Sequence, residues 1–184
     1  MYPAGLRSSI RKILSRDTIT SKLYEGVPMS LLNTKNRGLN IEEITKNVDE
    51  HYFQVGAKNP KKDGKGTWDY DFQLGDKKVE VKSAQLCYHN YKTPYWDVCW
   101  RDIKPEKFDE IRFVLYTPIG LYFFNHTHAS CEQFLTKRYA KGHLMNLKSK
   151  GSIKDIDQAV KSIKSKLGEP YYIYEWEGNI LNLF

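Results

Sequence analysis

The chain of 184 residues is long enough for one domain with a real core and too short for two comfortable ones. Hydrophobic residues make up 40% and aromatics 14%, which excludes a disordered tail, and no apolar run approaches the ~18 residues of a membrane helix. Lys and Arg outnumber Asp and Glu by 29 to 22, a net charge of +7 that draws the molecule toward polyanions, of which nucleic acid is the commonest.

The opening MYPAGLRSSIRKIL has no apolar stretch of the secretory kind. Cys87, Cys99 and Cys131 form no CxxC pair and no zinc spacing. Together these point to reduced thiols in an intracellular, cytoplasmic protein without membrane attachment.

Residues 8–15 predict a short helix, followed by a polar segment holding Gly26, Pro28 and Gly38. Asn40 is placed to cap a helix over about 41–54, with Ile41, Ile44, Val48 and Tyr52 on one face. The run AKNPKKDGKGT, 57–67, reads as a mobile surface loop. Strands are predicted at 68–74 and 77–83, on either side of the turn pair Gly75-Asp76, and again at 95–100, 111–117 and 119–124. The stretch KPEKFDE between two of these is compatible with a helix. Residues 153–167 place Ile156, Val160, Ile163 and Leu167 on one stripe of an amphipathic helix, and 171–176 predict a last strand. The expectation is an α/β (α+β) fold, a central mixed sheet flanked by helices. It forms one domain over 1–184, with a core near 40–125 and the C-terminal helix and strand of 150–184 packed on it.

With Gly75 and Asp76 at the tip, cross-strand partners have numbers summing to 151. Phe72 then faces Val79 and Tyr70 faces Val81, an apolar face, while Asp71 lies opposite Glu80 and Asp69 opposite Lys82. Two opposed carboxylates repel. A divalent cation between them removes that penalty, and hard oxygen ligands suit Mg²⁺. Lys82 reaches the same place, where an ammonium can hold a scissile phosphate or favour ionisation of an attacking water. Carboxylates, a metal and a lysine are the parts that phosphodiester hydrolysis requires. The plain alternative is a solvated sheet face, since Asp-x-Lys also occurs at 63–65, 76–78 and 102–104.

Asp71 followed by Glu80-Val81-Lys82, on a strand–turn–strand unit after an acidic helix, resembles the PD-(D/E)XK nuclease superfamily over roughly residues 40–84. The likeness is strongest to small type II restriction endonucleases. It implies a Mg²⁺-dependent DNA endonuclease, with Mn²⁺ able to substitute, that leaves 5′-phosphate ends. Asp71 and Glu80 are then the metal carboxylates, with the Val81 carbonyl a further ligand, and Lys82 the lysine that positions the nucleophilic water. Tyr70 stands where the family often has Pro, which leaves Asp69 as an alternative to Asp71. Many members add a helix glutamate; Glu42 is preferred here, then Glu43, with Glu50 also open.

The resemblance further implies double-stranded DNA as partner and a homodimer matched to palindromic sites. Structure-selective nucleases (a junction resolvase, a repair nickase or a homing type) and a catalytically silent binding module of the same fold are the alternatives. Lys58, Lys61, Lys62 and Lys65 are placed to hold the phosphate backbone, and Gln85, Asn90 and Lys92, in the mixed aromatic and polar stretch 85–101, to contact bases. His126 and His128 have ligand-like spacing but lack partners to complete a metal site.

Overall fold

A computed structural model describes residues 22–60, 70–135, 137–139 and 142–176. The expected helix at 8–15 lies outside them. Helix α1 (Thr34–Phe53) begins where Asn33 accepts the Asn36 N–H at 2.9 Å, and ends at Gln54 in left-handed backbone, φ 54°. The expected cap, Asn40, and Gly38 both lie inside the helix. Asn33 offers the same capping chemistry earlier, and a single helical glycine costs only about 1 kcal/mol. Gly38 also brings α1 close to the sheet: a Cβ there would lie 4.0 Å from Ser83 Oγ.

Along α1 the buried line is Ile41, Thr45 and Asp49. Of the expected stripe, Ile44 and Val48 are only partly buried and Tyr52 is 52% exposed. The helix is rotated because Asp49 turns inward to the guanidinium of Arg112, 2.7 Å away. Thr45 tolerates burial by bonding its hydroxyl to the Ile41 carbonyl at 2.6 Å.

Ten strands follow among the described residues: β1 (Ala57–Lys58), β2 (Phe72–Leu74), β3 (Lys77–Gln85), β4 (Cys87–His89), β5 (Tyr95–Ile103), β6 (Glu110–Thr117), β7 (Gly120–Thr127), β8 (Lys137–Tyr139), β9 (Gly142–Lys150) and β10 (Tyr172–Glu175). Two further helices among the described residues are α2 (His128–Glu132), after β7, and α3 (Ile156–Leu167), after β9. The first residues of the presumed loop 57–67 thus form a strand, while the stretch KPEKFDE contains only a 3₁₀ turn at Pro105–Lys107.

Six strands form a mixed sheet in the order β1-β2-β3-β6-β7-β10, in which the β3–β6 pair is parallel and the other neighbours antiparallel. The fold is α+β. A second, antiparallel sheet, β4-β5-β9-β8, was not anticipated beyond its strand at 95–100. β6 is buried along its whole length, as a central strand covered on both faces should be. On one face Val81 and its register partner Arg112 look toward α1. On the other, Phe113 meets the Trp100 ring of β5 at 5.5 Å, and the Trp100 indole N–H reaches the Val114 carbonyl at 3.4 Å. Glu80 and Lys82, alternating with Val79 and Val81, belong to this second face, over which β5 runs.

The segment before α1 is pinned to the core by Tyr24, whose buried hydroxyl lies 2.8 Å from the Leu86 carbonyl and 2.9 Å from that of Tyr116. No helix among the described residues is long and apolar enough to cross a membrane.

Candidate functional site

The β2–β3 hairpin turns where expected. Leu74 pairs with Lys77, leaving Gly75-Asp76 as a two-residue loop, and Gly75 has the positive φ, 58°, that its first position demands. The register holds through Phe72↔Val79 and stops there. Tyr70 and Asp71 are not in a strand, contrary to expectation. Asp71 donates its backbone N–H to the Val79 carbonyl at 3.0 Å, and its Oδ2 accepts the Val81 N–H at 2.6 Å. A short acidic side chain here does what a neighbouring strand's carbonyl does elsewhere, which ends the ladder and fixes the carboxylate at the edge of β3.

Around that point the charges gather. Glu80 pairs with the ammonium of Lys82, the two side chains being 13% and 23% exposed. Burial, then the charges of Asp71 and Glu80, push Glu42 up to about 7, with Lys82 opposing. Burial, then Asp71, push Glu80 to about 7 as well. Asp71 is also raised, by burial, against the Val81 hydrogen bond and Lys82. For Lys82, burial favours the neutral amine, but Glu80, Asp71 and Asp102 outweigh it and raise its pKa. It therefore remains a cation at neutral pH, suited to hold an anion and unsuited to take a proton.

Of the helix glutamates, Glu42 is the one drawn into this electrostatic group. Glu43 is exposed on α1, and Glu50 accepts the Ala57 N–H at 2.8 Å, tying the helix to β1. Val81 has a buried side chain and an amide engaged by Asp71. Gln85 is half-buried at the end of β3, while Asn90 and Lys92 are exposed in the turn between β4 and β5. Lys61, Lys62, Lys65 and Asp69 lie outside the described residues. His128 is exposed on α2, whereas His126 packs between Phe113 and Phe134, ring centroids 5.8 and 5.1 Å away.

Asp102 and Lys104 carry an Asp-x-Lys spacing that recurs elsewhere in the chain and so does not by itself mark them as part of the site. Lys104 lowers the pKa of Glu80 and Asp102 raises that of Lys82. Asp102 sits at a break in the β5–β9 register between Trp100 and Ile103, with φ 58°. β9 approaches this bulge closely: a Cβ on Gly142 would lie 2.8 Å from the Ile103 carbonyl oxygen. Nothing in the local sequence signals that the bulge brings these two charges over β3.

A hard divalent cation fits the chemistry of the donor set, because Glu42 and Glu80, which burial and neighbouring carboxylates push up to about 7, are relieved by a cation among them. It is not a finished cage. Among the described residues no three His, Cys, Asp or Glu side chains form a ready metal cluster, and Glu80 is engaged by Lys82.

No family model and no curated relative matches the chain. Among solved structures it is similar to a bacterial homing endonuclease, I-Ssp6803I, with 17% identity and a TM-score of 0.39, over 62% of this chain and 78% of that one. So loose a superposition carries no argument about activity, which has to be read from the residues themselves.

Proposed function

We propose that this chain is a metal-dependent endonuclease that hydrolyses DNA phosphodiester bonds and leaves 5′-phosphate ends. The observation that carries the reading is the gathering of Glu42, Asp71 and Glu80 around the half-buried cation Lys82, on and beside one strand edge. Three mutually repelling carboxylates and a lysine are costly to assemble on a fold unless their charges serve a ligand.

In this reading Asp71, Glu80 and the Val81 carbonyl would hold Mg²⁺, with Mn²⁺ an acceptable substitute. When bound, the metal supplies Lewis-acid stabilisation of the charge that develops on the phosphate. Lys82 stays charged and holds a non-bridging phosphate oxygen together with the incoming water. Glu42, half-buried, supplies a further carboxylate to orient that water or accept its proton. Water attacks phosphorus, the bond to the 3′ oxygen breaks, and the proton passes to the departing alkoxide through solvent. The net charge of +7 favours approach to the duplex, and Lys61, Lys62, Lys65, Gln85, Asn90 and Lys92 are proposed to contact it. Recognition of a palindromic duplex site by a homodimer completes the proposal.

The test is incubation of the purified protein with long, sequence-diverse duplex DNA in Mg²⁺ or in EDTA. Discrete Mg²⁺-dependent fragments are expected, and sequencing their ends gives site and stagger. Intact duplex, together with intact branched and nicked substrates, would overturn the reading.

A further inference from the structure

The outer face of the second sheet carries rings that do not belong to the core. Along β4 and β5 one set of alternating side chains, Tyr88, Trp96, Val98 and Trp100, is buried. The other set brings His89 opposite Tyr95. Their rings stack at 4.8 Å and 20°, and Tyr91, from the turn, stacks on His89 at 5.8 Å and 13°. Tyr91 itself is 66% exposed. The His89 ring is held in place by Asp97, with Nε2 2.8 Å from Oδ1.

Cations border these rings. Lys148 Nζ lies 4.9 Å from the Tyr95 centroid, Lys150 is the register partner of Tyr95, and Lys92, next to Tyr91 in the chain, is exposed. Lys166 reaches across from α3 to the Lys148 carbonyl at 3.0 Å. Asp97 is the acid among them, and its carboxylate faces His89.

We infer that this ridge is a stacking platform for an unpaired nucleobase, with the Tyr91 ring as its outer surface and Lys92, Lys148 and Lys150 holding the flanking phosphates. The three rings form a compact cluster, with Tyr91 and Tyr95 6.2 Å apart and tilted by 33°; the exposed Tyr91 ring can take a further flat face against it, and every base offers one. The surrounding lysines complement a sugar-phosphate chain. An acidic peptide would use the lysines but has no need of an exposed, stacked tyrosine. β4, which carries His89, follows β3, which carries Lys82, after a single residue. The inference shares with the proposed function the assumption that the partner is nucleic acid. Its test is therefore run without metal, so that loss of cleavage and loss of stacking are read separately.

The experiment is fluorescence anisotropy of a dye-labelled single-stranded oligodeoxynucleotide in EDTA, with wild type, Tyr91→Ala and Tyr91→Trp. Inorganic polyphosphate and poly-glutamate serve as competitors, and circular dichroism checks that each variant folds. Tyr91→Ala is expected to weaken oligonucleotide binding by about 5- to 100-fold. Tyr91→Trp is expected to keep or tighten it, and polyphosphate affinity should be indifferent to both changes. Equal binding by wild type and Tyr91→Ala would overturn the inference. So would a parallel loss of polyphosphate affinity, or tight poly-glutamate binding that depends on Tyr91.

Discussion

Asp71 and Val81 are joined by a hydrogen bond in which the carboxylate Oδ2 accepts the backbone N–H at 2.6 Å, across the edge where β2 no longer pairs with β3. One side chain thus serves both the strand and the charge cluster, and substitutions should separate the two roles. Asp71→Asn keeps an oxygen for the amide and should lose less than about 1 kcal/mol of stability, whereas Asp71→Ala strands the N–H and should lose about 1–3 kcal/mol. Both should lack cleavage. Urea denaturation of the pair checks this; equal stability would show that the hydrogen bond contributes nothing.

Glu80 gives a pH dependence whose sign can be worked out. Burial and Asp71 raise it from 4.5 to about 7 in the folded chain, so the native state keeps a proton that the unfolded chain releases. The associated stability is fully present below about 4.5 and is lost as pH rises through about 7. In EDTA, the melting temperature of the wild type should fall more between pH 5 and pH 8 than that of Glu80→Gln. Contributions from groups away from Glu80, such as Asp49, cancel in that difference, while the effect of its charge on Glu42 and Lys82 is part of what is read. Parallel falls would contradict the assignment.

Arg112 is fully buried and reaches Asp49 at 2.7 Å, Glu110 at 2.9 Å and the Asn125 side chain, while the Tyr171 hydroxyl donates to Asp49. The cluster joins α1, β6, β7 and the entry to β10. Arg112→Met leaves the Asp49 charge buried without its partner and should cost about 3–5 kcal/mol. Chemical denaturation measures it, and a loss below 1 kcal/mol would mean that Asp49 is neutral in the native state.

At the β5 bulge, Asp102 holds φ 58°, which a β-branched side chain tolerates poorly. Asp102→Gly should fold at least as well as the wild type, and Asp102→Val should be less stable by about 1–2 kcal/mol. Thermal melts of the two variants decide it; equal melting temperatures would mean that the bulge relaxes.

The hairpin was legible because its cues are local: a Gly-Asp pair with alternation on either side permits one register, and Phe72↔Val79 obeys it. Asp71 leaving the strand was not legible, since it depends on a side chain replacing a carbonyl. The buried line of α1 was misread for a related reason: Asp49 faces inward to meet an arginine 63 residues away, and periodicity of apolar residues carries no trace of such a partner. β9 escaped notice because its buried positions do not alternate. Asp102 and Lys104 reach the site through a bulge and the packing of one sheet on another, and neither has a sequence signature. Glu42 could be favoured over Glu43 and Glu50 in the sequence, but only its surroundings distinguish it.

The role of Lys82 is measured by comparing wild type with Lys82→Ala on one duplex DNA. Cleavage in Mg²⁺ is followed on a gel, and affinity is measured in parallel in EDTA. Because Lys82 is a retained cation beside Glu80, its loss should reduce cleavage by at least about 100-fold, as expected for loss of an electrostatic stabiliser. Duplex affinity should change only slightly. Cleavage by Lys82→Ala near the wild-type rate would show that Lys82 has no part in the chemistry.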